Sequence, residues 1–318
     1  SKTIKHNDLR RVTVDTTVQE KAVSFPTDSR LLNRSRERLV KLCHKQGVVL
    51  RQSYARKGPE ALLLANRYAH ARQMQRMRRQ VRKLRTYLGR VVRDIERKIA
   101  DSPIQQRVFA GELIMAKRVL KQKKTDSHKL YSLHAPEVEC IGKGKAHKRY
   151  EFGVKASVAT TNRSNFVVGG MALPGNPFDG HTLVSALAQV RRLTGSAIDE
   201  VFVDRGYRGH GEKSTTVYIS GQKRGIKTQR LRRSLKRRQA IEPVIGHLKS
   251  DGLLGRNYLK GTLGDHMNVL LSCAGHNLRL ILRQLRIFCL WLLDGTTRQG
   301  CDALHTAEPQ PIFRTQPV

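Results

Sequence analysis

The chain has 318 residues, and 61 Lys and Arg against 25 Asp and Glu give it a net charge of +36. Self-repulsion on that scale points to an anionic partner, a nucleic acid or an anionic membrane surface, over a merely soluble basic protein. Five cysteines, odd in number and never at C-x-x-C spacing, argue for reduced thiols and against a zinc site.

Residues 9–18 open the chain with a strand pattern: Val12, Val14 and Val18 are β-branched, and Thr13, Thr16 and Thr17 support them. Asp15, a poor strand former, sits inside it. Residues 28–124 change texture to long, basic helices, where Met74, Met77, Val81, Leu84 and Leu88 form one apolar stripe. Residues 150–160 alternate as a strand, and 165–173 pair with them across a turn at 161–164. Residues 180–193 read as a helix with Leu183, Leu187, Val190 and Leu193 on one face. A short buried strand follows at 198–204, ending at Arg205-Gly206-Tyr207, and another at 216–220. Two helices are expected over 231–249 and 265–293. The apolar run at 278–293 is broken by Arg279, Arg283 and Arg286, so it reads as an amphipathic helix and not a membrane span. No secretory signal opens the chain. The tail beyond 296, with Pro309, Pro311 and Pro317, is expected to be disordered. Strands alternating with helices predict an α/β layout.

Three acids stand out by context. Asp15 is mid-strand. Asp204 closes a buried apolar strand before a Gly turn, at the end where open α/β sheets build their sites. Glu242 lies on a helix dense in Arg and Lys. Alone, each has an ordinary explanation as a strand, turn or ion-pair residue. At about 100° per residue, Leu235, Arg238, Glu242 and Lys249 share an arc of about 60°, one face presenting cation, carboxylate, cation. Pro243 disfavours helical geometry at Glu242, so the helix either kinks or begins there.

The spacing of Arg238, Glu242 and Lys249 resembles the Y-(2)-R-(3)-E-(6)-K signature of insertion-sequence transposases of the four and five families, with Leu235 at the Tyr position. Val203-Asp204-Arg205-Gly206-Tyr207-Arg208-Gly209 looks like the second-Asp block of that superfamily, and Val12-Thr13-Val14-Asp15 like its first-Asp strand. Residues 143–153 and 174–181 resemble family-five members. The resemblance runs over residues 12–288.

It implies a ribonuclease-H-like mixed sheet flanked by helices, with a basic all-helical insertion after the first strand. The implied division is 1–27 as the first strand of a catalytic core, 28–130 as the insertion, 131–295 as the rest of the core, and 296–318 as tail. Asp15, Asp204 and Glu242 are implied as the catalytic acids of a DDE transposase, holding two Mg²⁺ ions with Mn²⁺ as a substitute. Hard divalent ions prefer carboxylate oxygens, and two of them can stabilise both ends of an in-line phosphoryl displacement. Without a counter-charge, two carboxylates at about 4 Å repel by about 4 kcal/mol at an effective dielectric near 20. Arg238, Lys249 and the basic loop of Lys143, Lys145, His147, Lys148 and Arg149 are expected to contact DNA phosphates.

The expected partner is double-stranded DNA, both transposon ends and target, engaged by a homodimer in the cytoplasm at the nucleoid, with no membrane. The expected reaction is metal-dependent endonuclease cleavage followed by strand transfer, that is, DNA-mediated transposition. Family members carry a region ahead of the first Asp, and fourteen residues precede Asp15, so an N-terminally truncated or inactive remnant is one alternative. A non-catalytic basic nucleic-acid-binding protein and a nuclease that cuts without joining are the others.

Overall fold

The computed structural model describes residues 4–305 apart from 124, 143–148, 223, 224, 226 and 227, with side chains as far as Trp291. A short helix α1 (His6–Leu9) leads into strand β1 (Arg11–Glu20). Four helices follow: α2 (Asp28–Lys45), α3 (Lys57–His70), α4 (Met74–Lys98) and α5 (Pro103–Lys121). Then come β2 (Glu139–Gly142), β3 (Tyr150–Thr161), β4 (Val167–Leu173), α6 (Asp179–Thr194), β5 (Glu200–Val203), β6 (Thr216–Ile219), α7 (Gln229–Arg237), α8 (Ile241–Ser250) and α9 (Gly261–His305).

Among the described residues, six strands make one mixed sheet in the order β2-β3-β1-β5-β6, with β4 also on β3. β1 runs antiparallel to β3 and parallel to β5, and β5 runs parallel to β6. The chain is therefore α/β, as its pattern predicts. Strand β2 is an addition with no counterpart in the sequence pattern.

β1 is buried on both faces, and its alternation explains how. Val12, Val14 and Val18 are fully buried; Val12 and Val14 pack with Leu183, Leu187 and Val190 of α6 and with Val201 and Val203 of β5. The opposite face of β1 is polar yet almost as buried, so its groups need partners. Asn162 Nδ2 donates to Thr13 Oγ1 at 3.0 Å, and Gln19 Nε2 donates to the Asp265 carbonyl at 3.2 Å. That polar face looks toward α8 and α9.

Two glycines in β4 let helices close on both faces of the sheet. A Cβ at Gly169 would meet Val190 of α6 at 2.8 Å, and one at Gly170 would meet Cys273 Sγ of α9 at 2.7 Å. A second apolar cluster, which includes Ala156, Val158, Val244, Leu248 and Val269, fills the α8/α9 side.

Helices α2–α5 carry a core of their own, built on Leu32, Leu39, Leu84, Leu88, Ile95 and Phe109. Thr27 caps α2 by accepting from Arg30 N–H, and Ser102 caps α5 ahead of Pro103 in its first turn.

One expected helix is corrected. Residues 231–249 are not continuous: α7 ends at Arg237, a 3₁₀ turn spans Arg238–Ala240, and α8 starts at Ile241. Pro243 is the reason. It lacks an N–H and is tolerated only in a first turn, which is where the break leaves it. Among the described residues no helix is long and apolar enough to cross a membrane.

Candidate active site

The parallel pairing of β1 with β5 sets Arg11 opposite Glu200, Val12 opposite Val201 and Thr13 opposite Phe202. Continued by two residues, that register brings Asp15 level with Asp204, which is still extended (φ −79°, ψ 171°). Side chains level on neighbouring parallel strands share a face, and the strands are about 4.8 Å apart. The two acids thus stand side by side at the C-terminal edge of β5, on the face turned toward α8.

Each carboxylate is oriented by its own backbone. Asp15 Oδ1 accepts from Thr16 N–H at 2.8 Å, and Asp204 Oδ1 accepts from Arg205 N–H at 2.7 Å, capping the 3₁₀ turn Arg205–Tyr207. Asp204 is exposed; Asp15 is mostly enclosed.

Arg238 comes down on Asp15 from the turn between α7 and α8. Its side chain is only 8% exposed. One guanidinium nitrogen lies 3.5 Å from Asp15 Oδ2 and the other 3.7 Å from Glu242 Oε1. Glu242, in the first turn of α8, is 65% exposed and meets Arg238 as an i, i+4 partner. So Arg238 bridges the first and third acids, a cation between two carboxylates that would otherwise repel.

The structure therefore brings Asp15, Arg238 and Glu242 into contact, and the strand register carries Asp204 to the same end of the sheet. It does not bring the three acids into one donor set. Among the described residues no group of three or more His, Cys, Asp or Glu side chains is arranged to hold a metal ion. Lys249 is half-buried, seven residues along α8 from Glu242, or about 10 Å by helix rise. Arg149 is exposed and stacks over the Tyr150 ring at 5.4 Å. Lys143, Lys145, His147 and Lys148 lie outside the described residues.

A fourth acid, Asp179, was not singled out from sequence. It opens α6 and accepts from Thr16 Oγ1 and Lys155 Nζ, each at 3.0 Å. A Cβ on Gly206 would come 3.1 Å from its Oδ2, and a Cβ on Gly180 would sit 2.9 Å from the Arg208 carbonyl. Those two glycines let the α6 start press onto the turn after Asp204. Tyr207 marks the junction. Burial drives its phenol far above the ordinary tyrosine range, and the nearby carboxylates of Asp15, Asp179 and Asp204 push in the same direction, with Thr182 opposing. The signal for Asp179 was present in Phe178-Asp179-Gly180-His181, a motif whose contacts only the fold discloses.

Beside Arg238 a cleft of about 570 Å³ runs between the end of β6 and α7, lined by Ser220, Gln222, Arg232, Leu235, Lys236 and Gln239. Leu235, which stands where the resembling signature has Tyr, forms part of this wall.

Residues 211–282 match the family model of a transposase DDE domain. The matched stretch takes in Arg238, Glu242 and Lys249, and begins after Asp15 and Asp204. The chain is also 52% identical over 71 residues to a Rhizobium meliloti protein named "Uncharacterized protein ORF8 in nfe locus". That alignment covers 22% of this chain and 34% of the relative, so the chain spans about a third of the length of the curated protein it matches. No solved structure matches the chain.

Proposed function

We propose that the chain is the DNA-cutting and DNA-joining core of an insertion-sequence transposase of the family-five kind, on a ribonuclease-H-like fold with α2–α5 inserted after the first strand. The observation that carries this reading is the parallel register of β1 with β5, which when continued sets Asp15 level with Asp204 just past the end of β5, together with Arg238 between Asp15 and Glu242. The sheet supports it, with an antiparallel side (β4, β3, β1), a parallel side (β1, β5, β6) and acids on the central strand and its parallel neighbour. The match to a transposase DDE domain over 211–282 supports it independently.

A divalent ion such as Mg²⁺ or Mn²⁺ fits the donor chemistry of Asp15 and Asp204, which offer hard oxygens and no competing Cys or His. Bound there, it would supply Lewis-acid stabilisation of charge on phosphate oxygens. Glu242 is paired with Arg238 at 3.7 Å in this arrangement, so joining the two aspartates at an ion would require that pair to open.

The remaining work belongs to the chain's own cations. Arg232, Lys236 and Arg238 line one cleft, and they would neutralise and orient a phosphodiester beside the acid pair. Lys249 and Arg149 would extend that contact along the backbone. Hydrolysis at a transposon end frees a 3′-hydroxyl, and attack of that hydroxyl on a target phosphodiester joins the strands. Both steps are in-line displacements at phosphorus and require no covalent protein–DNA intermediate. A homodimer acting on duplex DNA in the cytoplasm, at the nucleoid, belongs to the same reading.

The test uses a supercoiled plasmid bearing the chain's own coding region with its flanking DNA. With Mg²⁺ or Mn²⁺, breaks ending in 3′-hydroxyls are expected at the element boundaries, and chelation with EDTA abolishes them. Absence of any break with either ion overturns the reading. A second reading, a basic DNA-binding chain without cleavage, is favoured by the Arg238–Glu242 pair alone, and the same assay decides between them.

A further inference from the structure

Helix α4 carries a cationic face that no other part of the described molecule neutralises. Residues 61–93 contain ten Lys or Arg and no Asp or Glu. Within α4, Arg78, Arg79, Arg82, Lys83, Arg85 and Arg93 are all exposed. At about 100° per residue they span an arc of about 160°. That arc lies opposite the buried side of the helix, where Leu84, Leu88, Val91 and Ile95 enter the core of the helical unit.

A merely solvated helix face interleaves acids with bases at i, i+4. Here the acids sit at the other end. Asp94 meets Arg51, Arg97 and Lys98, and Glu96 meets Lys117. Among the described residues, none of the six cations has a carboxylate within 4 Å. The pairs Arg78/Arg82, Arg79/Lys83 and Arg82/Arg85 instead set like charges three or four residues apart, which destabilises a helix unless an anion lies across them. From Arg78 to Arg93 the face is about 22 Å long, on a rigid helix anchored by its own apolar side.

We infer that this face of α4 docks the sugar-phosphate backbone of duplex DNA, at a site separate from the acid pair and without reading sequence. Arginine suits the role, because its planar fork binds phosphate oxygens bidentately and stays charged. Contacts of this kind position a duplex and carry no base information. The inference rests on the proposed function for its choice of DNA as the anion, and its test separates the two.

The experiment measures binding of the full chain to fluorescein-labelled duplexes of about 40 base pairs with unrelated sequences. Anisotropy is read against KCl concentration in EDTA, so that cleavage plays no part. Each phosphate contact adds about 0.9 to the log–log salt slope. The triple substitution Arg79→Gln, Arg82→Gln, Lys83→Gln is expected to flatten the slope by about 2.7, to weaken binding at least tenfold, and to do so equally for every duplex. The charge-keeping pair Arg79→Lys, Arg82→Lys is expected to retain the wild-type slope, which separates lost charge from lost fold. An unchanged slope in the triple variant, with the wild type still binding DNA, overturns the inference and leaves the proposed function standing. Failure of the wild type to bind duplex DNA overturns both. Stronger binding of RNA duplexes than DNA duplexes, lost in the same variant, overturns the assignment to DNA.

Discussion

The guanidinium of Arg238, drawn from the turn ahead of α8, lies 3.5 Å from the carboxylate of Asp15 in the middle of β1. A buried cation thus stands against the mid-strand acid, where the sequence pattern placed it only beside Glu242 on its own helix face. It also reaches Glu242 at 3.7 Å, so one arginine meets both carboxylates.

Replacing Arg238 with Gln removes that counter-charge. Both contacts are long and Glu242 is well exposed, so the loss of stability is expected to be modest, about 1 kcal/mol. Freed of the competing cation, the acids should bind divalent ions better. Thermal unfolding with and without Mg²⁺ reads this directly: Mg²⁺ raises the midpoint of Arg238→Gln by more than it raises that of the wild type. Equal shifts would mean that Arg238 does not govern the charge of the site.

A larger cost is expected at Lys21. Its side chain is 5% exposed and meets Asp265 at 2.7 Å and Glu137 at 2.9 Å, tying the end of β1 to the start of α9. Lys21→Met leaves two carboxylates in a buried place without their cation, a change that typically costs about 3–5 kcal/mol. Urea denaturation should show it as a lower midpoint with an unchanged slope. A loss below about 1 kcal/mol would indicate that water already reaches the cluster.

His276 supplies a pH dependence with a definite sign. Burial lowers its pKa, with Arg279 and His247 acting in the same direction, against a hydrogen bond to the Asn165 carbonyl and the charge of Asp251. The unfolded chain therefore takes up a proton at a higher pH than the folded one. Stability from the neutral imidazole is present above the unfolded value near 6.5 and is lost as pH falls through the folded value. Melting curves between pH 8 and pH 5 should show a steeper acid loss for the wild type than for His276→Gln. Parallel curves would rule out this residue as a source of the dependence.

Much of the sheet was legible because strands β1, β3, β4, β5 and β6 carry β-branched residues with clear turns between them. Asp204 could be placed at a strand end because Val201, Phe202 and Val203 are uniformly apolar and Gly206 follows. The break between α7 and α8 was signalled by Pro243, whose missing N–H fixes a first turn, but whether the chain kinked or restarted depended on packing over β1. Strand β2 is four residues long, with no alternation to announce it, and exists only because β3 offers an unpaired edge. Arg238 and its i, i+4 partner Glu242 were legible from spacing, whereas Asp179 and the contact of Arg238 with Asp15 were not: Thr16 and Lys155 meet Asp179, and Asp15 meets Arg238, across as many as 223 positions of sequence, where local pattern carries no information.

The Asp15–Asp204 pair is tested most directly by Asp204→Asn, assayed side by side for plasmid cleavage in Mg²⁺ and for duplex binding in EDTA. Asp204 is exposed and bonded only to the neighbouring Arg205 N–H among the contacts described, so the fold and the cationic surfaces should survive the change. Cleavage is expected to fall by about a thousandfold or more, equivalent to about 4 kcal/mol of transition-state stabilisation, while the dissociation constant for duplex DNA stays within about twofold, a difference of under about 0.5 kcal/mol. Cleavage that persists in Asp204→Asn, or binding and cleavage that fall together, would contradict a cutting site built on these two acids.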